Sequence, residues 1–153
     1  MNASAAESVM PVEPSRPDDP SEGLLSLPVI GRVAAGSPIE AVENTEKVIR
    51  VPAARFRHKP DYLLRVRGES MIGEGILDND LIAVKRQSTA EPGQIVVARH
   101  GDDVTVKELR IDNGEVVLIP ANEAHEPIRI PADMVTIEGV YVGLVRETDV
   151  VAA

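Results

Sequence analysis

The chain has 153 residues, which is enough for one compact domain. Its formal net charge of −9 is unfavourable for direct binding to a phosphate backbone. It contains no cysteine, which excludes disulfides, thiolate nucleophiles and cysteine-ligated zinc. Aromatic residues make up 2% of the chain, so the core must be aliphatic, and its Val and Ile favour strands. No apolar run reaches the ~20 residues of a membrane span and the N-terminus lacks a secretory pattern, so we expect a soluble, cytoplasmic protein.

Residues 1–24 are expected to form a disordered arm or linker. Proline recurs at every third position among Ser, Asp and Glu, at Pro11, Pro14, Pro17 and Pro20. Such a composition buries too little apolar surface to offset the entropy of ordering, and the prolines keep the chain extended. Residues 25–153 form the predicted folded domain.

Short strand-like segments separated by turn signals follow this arm. The sequence TEKVIRVP at 45–52 predicts one strand, DYLLRVRG at 61–68 a second, and GILDNDLIAVKR at 75–86 a turn leading into a third. Residues 92–120 predict two successive hairpins, because a His-Gly-Asp-Asp turn and an Asn-Gly turn separate three apolar runs.

The last predicted strand is DMVTIEGVYVGLVRE at 133–147, with a break or bulge expected at Gly139 and Gly143. No segment predicts a long helix. The fold class is therefore mostly β: a single compact domain of many short strands over an aliphatic core. Residues 134–146 are more apolar than a free edge strand should be, which predicts that this strand mediates a homodimer.

Ser70 is a candidate nucleophile. It follows a predicted strand and lies between Gly68 and Gly73, which allow a tight loop with amide groups facing a bound carbonyl. A nucleophilic serine needs a base and N–H donors for the developing oxyanion. Histidine is the usual base, but all three histidines lie in turn-like surroundings that indicate no Ser–His–Asp arrangement: His58, His100 and His125.

Lys107 is the other candidate base. In the strand-like DVTVKEL, Thr105 and Lys107 share one face, and Val104 and Val106 share the other. A lysine acts as a base only if its pKa of about 10.4 falls by roughly 3 units, which burial against apolar groups can cause. Taken alone, the pattern favours a plainer interpretation, a lysine on a solvated strand face.

Metal and phosphate chemistry have little support in the sequence. The acidic pairs Asp78 with Asp80 and Asp102 with Asp103 lack the spacing of a calcium loop and are explained by turns. The sequence contains neither of the two glycine-rich phosphate-binding motifs, Gly-x-x-x-x-Gly-Lys and Gly-x-Gly-x-x-Gly. The sequence therefore predicts no metal and no other cofactor.

Four segments together resemble the C-terminal self-cleaving domain of the LexA family of bacterial SOS repressors. They are GRVAAGSP (31–38), LLRVRGESMIGEGILDNDLIAV (63–84), VVARHGDDVTVKEL (96–109) and TIEGVYVGLVR (136–146). Their order and spacing agree from about Leu25 to Arg146. The Ala-Gly pair distinguishes the chain from polymerase accessory proteins of the UmuD type, which usually carry Cys-Gly there.

The resemblance implies intramolecular proteolysis by a serine–lysine pair. Ser70 would attack the peptide bond between Ala35 and Gly36, and a neutral, buried Lys107 would act as the general base. The backbone amides of Glu69 and Ser70 would form the oxyanion hole, which makes the arrangement a lysine variant of the catalytic triad.

The resemblance also implies a cleavage segment, residues 27–40, with one position away from the serine and one docked over it. Val33 and Ala34 would contact the narrow cleft. In this family a RecA filament on single-stranded DNA favours the docked form, which is a shift of a pre-existing equilibrium.

Two departures from the family leave alternatives open. Family repressors begin with a winged helix-turn-helix, which residues 1–24 cannot form, so we expect a truncated repressor that starts in its linker, or else a naturally short relative. Glu69, where methionine is common, adds a carboxylate that would favour the charged form of Lys107. The alternative functions are a UmuD-like accessory subunit for a translesion polymerase and a structural β domain in which Ser70 is incidental.

Overall fold

The computed structural model describes residues 23–31 and 45–147, and the backbone of 151–152. The predicted arm, residues 1–24, lies outside the described residues except for its last two. The second of these, Leu24, already belongs to the first strand.

The described part of the chain contains ten strands and no α-helix, so the predicted fold class, mostly β, is confirmed. The strands are β1 Leu24–Ile30, β2 Thr45–Pro52, β3 Tyr62–Arg65, β4 Leu81–Arg86, β5 Ile95–His100, β6 Asp103–Asp112, β7 Glu115–Ile119, β8 Ile128–Pro131, β9 Thr136–Val145 and β10 Val151–Ala152. Three single 3-10 turns accompany them, at Ala53–Arg55, Ile72–Glu74 and Ala132–Met134.

The two predicted hairpins are present as β5–β6 and β6–β7. The second turns at Asn113 and Gly114, whose φ values of 53° and 79° suit the tight turn that matches the twist of paired strands. This hairpin geometry fixes the register of β6, in which Lys107 pairs with Val96 of β5.

All strands of the described residues belong to one sheet in the order β10-β2-β1-β3-β4-β9-β5-β6-β7-β8, and among them only the β1–β3 pair is parallel. The central place of β9 corrects the reason given for a homodimer. Strand β9 pairs with β4 on one side and β5 on the other, so its backbone cannot pair with a second copy. Two of its apolar side chains, Val140 and Val145, are buried, and its other apolar side chains are half-buried.

Both faces of the sheet are covered by side chains, because successive residues of the middle strands enter different apolar clusters. In β4, Ile82 and Val84 pack with Tyr62 in one cluster, while Leu81 and Ala83 pack in another. A third cluster joins β5 to β8 and β9. Each fully buried aliphatic side chain stabilises the fold by about 1.5–3 kcal/mol, which explains the near-continuous apolar runs of these strands.

The glycines of β9 allow neighbouring elements to approach its backbone closely. A Cβ at Gly139 would lie 2.5 Å from Val84 Cγ1, and one at Gly143 would lie 2.9 Å from the Phe56 ring. The register of β9 shifts next to both positions, as predicted for a bulged strand, but the strand continues through them.

Candidate active site

Ser70 lies in the loop that connects β3 to β4, residues 66–80. The ladder continues beyond β3, because Val66 N–H donates to Asp80 C=O and Asn79 N–H donates to Val66 C=O, both at 2.8 Å. Gly68 has φ +87°, a conformation that is strained for any residue with a Cβ. The loop is thus closed at its base and bent sharply two residues before Ser70.

The loop is also anchored from inside and outside. The Met71 side chain is 2% exposed and belongs to the cluster that contains Tyr62 and Val84. On the other side, Ala121 N–H donates to Ser70 C=O at 2.7 Å. Ser70 itself is half-buried, with a fixed backbone and a side chain that reaches the cleft described below.

Lys107 is buried, contrary to the plainer interpretation of a solvated strand face: its relative exposure is 8%. Its Nζ donates a hydrogen bond to Thr105 Oγ1, the residue predicted to share its face. Burial lowers the pKa of Lys107 below its ordinary value, since desolvation penalises the charged amine. The Glu69 carboxylate is exposed and is not among the causes of this shift.

Ser70 and Lys107 line the same cleft, which has a volume of about 590 Å³. One wall of the cleft is formed by β3 and the start of the 66–80 loop, and the other wall is formed by the β5–β6 turn and β6. Its lining residues are Gly31, Leu64, Arg65, Val66, Arg67, Ser70, Asp102, Asp103, Val104, Thr105, Val106 and Lys107. The cleft therefore brings together the two side chains that the sequence singled out.

The hydrogen bonds around the pair define its present state. Among the described residues, no hydrogen bond joins the Ser70 hydroxyl to the Lys107 amine, which is directed to Thr105. The backbone N–H groups of Glu69 and Ser70 donate to no acceptor in the described part of the chain. Two amides at Ser70 thus have no hydrogen-bond acceptor among the described residues.

The predicted cleavage residues, Val33, Ala34, Ala35 and Gly36, lie outside the described residues. The first four residues of the predicted segment 27–40 belong to β1 and are paired with β2, and the last two of them, Val29 and Ile30, are also paired with β3. In this state residues 27–30 are part of the sheet, and the predicted change of position of the segment 27–40 stays a prediction.

Both ends of the segment between β1 and β2 are held beside the cleft. Ile30 pairs with Thr45 in the ladder, and Gly31, itself a lining residue, lies against the Glu46 side chain, where a Cβ would overlap the carboxylate. Arg65 on the cleft wall donates to Glu46 at 2.5 Å and to Glu147 at 3.1 Å. The hydrogen bond from Arg65 lowers the pKa of Glu46, which keeps the Glu46 carboxylate charged in this ion pair.

The remaining sequence candidates lie elsewhere or have structural roles. The three histidines are exposed and do not line the cleft. Asp78 Oδ1 accepts from Gly68 N–H, and Asp80 accepts from Leu77 N–H and Arg146, so both carboxylates close the 66–80 loop. Within residues 23–31 and 45–147, no group of three or more acidic or histidine residues could hold a metal ion.

Asn122 is a residue of this site that the sequence did not reveal. Its side-chain amide donates to the Glu69 carbonyl at 2.8 Å, next to the nucleophile. The two residues are 53 positions apart, and the surrounding Ala-Asn-Glu carries the ordinary signature of a turn. Only the fold brings this turn against the loop.

A serine and a desolvated lysine in one cleft of an all-β domain are what a peptidase with lysine as its base requires. The sequence profile of the Peptidase S24-like family matches residues 28–142. The chain belongs to this family.

Curated relatives of the chain carry the name LexA repressor. It is 54% identical to the one from Alcanivorax borkumensis over 79% of this chain and 59% of the relative. It is 51% identical to the one from an Acidovorax species over 84% of this chain and 58% of the relative. It is 53% identical to the one from Bordetella avium over 80% of this chain and 58% of the relative. The chain thus spans just under three fifths of the length of these relatives. None of its described helices is long and apolar enough to cross a membrane.

Proposed function

We propose that this chain is the self-cleaving regulatory domain of a LexA-type SOS repressor, a serine endopeptidase that cuts its own Ala35–Gly36 bond. The observation that carries the proposal is that Ser70 shares a cleft with a buried Lys107 whose pKa is lowered by desolvation. Membership of a peptidase family and relatives named LexA repressor support it.

In the first step, Ser70 Oγ attacks the carbonyl carbon of Ala35 while the neutral Lys107 amine takes the hydroxyl proton. The carbonyl oxygen becomes an oxyanion, to which the N–H groups of Glu69 and Ser70 donate. The carbon–nitrogen bond then breaks, and the Lys107 ammonium returns its proton to the nitrogen of Gly36. The result is an ester between Ser70 and Ala35.

In the second step, water gives a proton to Lys107 and attacks the ester carbon. The ester bond breaks, Ser70 Oγ recovers a proton from the lysine, and Ala35 leaves as a carboxylic acid, which loses its proton to the solvent. One water molecule is consumed overall, and the lysine is unchanged. A lysine that stays protonated cannot start either step, so the reaction should accelerate as pH rises toward the pKa of Lys107.

The hydrogen bond from Lys107 to Thr105 corresponds to a resting state in this proposal. Docking of the residues after Gly31 over the cleft would exclude water, lower the pKa of Lys107 further and bring Ala35 to Ser70. A RecA filament on single-stranded DNA would favour the docked state without adding chemistry, as a population shift.

In the cell, the proposed repressor is a cytoplasmic homodimer that binds DNA through a domain outside this chain. Its own net charge of −9 opposes direct contact with phosphates. Cleavage at Ala35–Gly36 would separate the DNA-binding part from the folded domain and release genes of the DNA-damage response.

The test is mass spectrometry of the purified chain after incubation at a series of neutral and alkaline pH values. We expect a product that begins at Gly36 in the wild type, increasing with pH, and none in Ser70→Ala or Lys107→Ala. The matched controls are Ser88→Ala and Lys85→Ala, which alter exposed residues outside this cleft and should cleave like the wild type.

A chain that stays intact at every pH is next incubated with the RecA filament. If it also stays intact there, the proposed function is wrong. A product of Lys107→Ala at the wild-type rate would remove the lysine from the mechanism.

A further inference from the structure

The turn between β7 and β8 holds the 66–80 loop by three hydrogen bonds to its backbone, besides one from Ala121 N–H to the Met71 sulfur. Ala121 N–H donates to Ser70 C=O and Gly73 N–H donates to Ala121 C=O, each at 2.7 Å. The third bond comes from a side chain: Asn122 Nδ2 donates to Glu69 C=O at 2.8 Å. The turn therefore contacts the backbone on both sides of the Glu69–Ser70 peptide.

The Asn122 bond determines the direction of the amide that precedes the nucleophile. In a planar trans peptide, the C=O of Glu69 and the N–H of Ser70 point in opposite directions. Because Asn122 holds the carbonyl toward the turn, the Ser70 N–H points away from the turn. That N–H has no acceptor in the described part of the chain.

The Asn122 side chain is itself oriented. Its Oδ1 accepts a hydrogen bond from Ala124 N–H at 2.8 Å, so the oxygen faces its own turn and the NH₂ group faces Glu69. One further donor reaches the same carbonyl, the N–H of Ile72 at 3.3 Å, which is a longer bond. Asn122 thus supplies the shorter of the two bonds that fix this peptide.

We propose that Asn122 is a positioning residue of the self-cleavage reaction, which aims the Ser70 N–H at the oxyanion. The inference rests on the proposed function, since an oxyanion forms only if Ser70 attacks the chain. Asn122 does not line the cleft that contains Lys107. Its effect is therefore on stabilisation of the transition state and not on the protonation of the base.

The experiment compares self-cleavage of the wild type, Asn122→Ala and Asn122→Asp across neutral to alkaline pH. Asn122→Asp retains an oxygen for Ala124 N–H but places a second oxygen opposite the Glu69 carbonyl, so it removes the donor and preserves the turn. The matched control is Asn113→Asp, the same chemical change in the exposed β6–β7 turn. Thermal unfolding of each variant, in a Ser70→Ala background, reports on folding.

We expect the plateau rate at alkaline pH to fall by about 10- to 100-fold in both Asn122 variants. This is less than the 10²–10³-fold cost of removing an oxyanion donor outright, because the Ile72 bond remains. The midpoint of the pH profile should stay at its wild-type value in Asn122→Ala, since Lys107 is untouched. Reaction of Ser70 with a fluorophosphonate probe, whose phosphoryl oxygen needs the same N–H groups, should slow in parallel.

A wild-type plateau rate in Asn122→Asp would overturn the inference, as would a rate loss that is fully explained by a shifted midpoint. Asn113→Asp slowing as much as the Asn122 variants would also overturn it. Absence of cleavage in the wild type would instead contradict the proposed function, so the two failures are distinguishable.

Discussion

The two side chains of the site are held by different kinds of structure. Lys107 lies in the middle of β6, where regular pairing with β5 fixes its position and the surrounding sheet buries it. Ser70 lies in an irregular loop whose shape depends on Gly68 at positive φ, on the Asp78 and Asp80 carboxylates, and on the turn at Asn122. The sheet buries Lys107 and lowers its pKa, whereas individual loop contacts set the geometry around Ser70.

This difference predicts different consequences of substitution. A change at Lys107 alters the chemistry directly, because the base must lose its proton. A change in the loop keeps every proposed catalytic group present but alters the direction of the serine and of the two amides. Loop variants should therefore reduce the rate in proportion to misalignment, and their pH midpoint should not move.

The largest effect is expected for Lys107→Arg. The guanidinium retains the approximate length and the charge of the side chain, but its pKa lies far above that of lysine and keeps it protonated throughout the accessible range. Self-cleavage should fall by about 10³-fold or more at every pH, within the range for loss of a general base. Single-turnover cleavage up to pH 10, beside Lys85→Arg as the control, measures it. Recovery of cleavage at high pH would mean that position 107 does not supply the base.

A smaller effect is expected for Gly68→Ala, compared with Gly114→Ala. These glycines have φ values of +87° and +79°, and an added Cβ meets no atom within 4 Å at either, so both substitutions introduce only backbone strain. Each should destabilise the fold by about 1–2 kcal/mol. Only Gly68→Ala should slow cleavage, by about tenfold, since ~1.4 kcal/mol of misalignment corresponds to that factor.

The two glycine variants are compared by thermal unfolding and by cleavage rate at the alkaline plateau. Equal losses of cleavage in both would mean that the effect of Gly68 arises from general destabilisation. A wild-type cleavage rate in Gly68→Ala would mean that the loop tolerates a different backbone two residues before Ser70.

The smallest effect is a change in the free energy of unfolding. It is expected for Lys107→Met, studied in a Ser70→Ala background. Burial lowers the pKa of Lys107 in the folded protein below its ordinary 10.5. Between the pKa of the folded protein and 10.5, the unfolded chain therefore binds more protons than the folded one. The unfolding free energy of the lysine protein therefore rises with pH in that window, and below it the buried charge is destabilising. The methionine variant should be the more stable at neutral pH, by a margin that narrows toward pH 10.5.

Urea unfolding at intervals between pH 7 and pH 10.5 measures this margin. A constant difference across the range would show that the folded and unfolded proteins share one lysine pKa. Lys85→Met, which makes the same replacement at an exposed lysine of β4, serves as the control.

Local patterns were sufficient for much of the fold. The strand at 45–52 and both hairpins of 92–120 follow from alternation and from turn residues, which act over a few positions. Strand β8 was not predicted, because Ile128–Pro131 is short, contains a proline and lies at the edge of the sheet. Strand β9 was predicted as a strand but not in its central place, since neighbours in a sheet are chosen by long-range packing.

The sequence by itself determined a cysteine-free, aliphatic, mostly β domain and singled out Ser70 and Lys107, because composition, period and motif are local properties. Only the tertiary structure decided that Lys107 is buried and that it shares a cleft with Ser70, because desolvation is produced by strands distant in sequence. It also decided that residues 27–30 belong to β1 and that Asn122 holds the peptide of the nucleophile. These contacts join segments many positions apart, and no pattern in either segment encodes its partner.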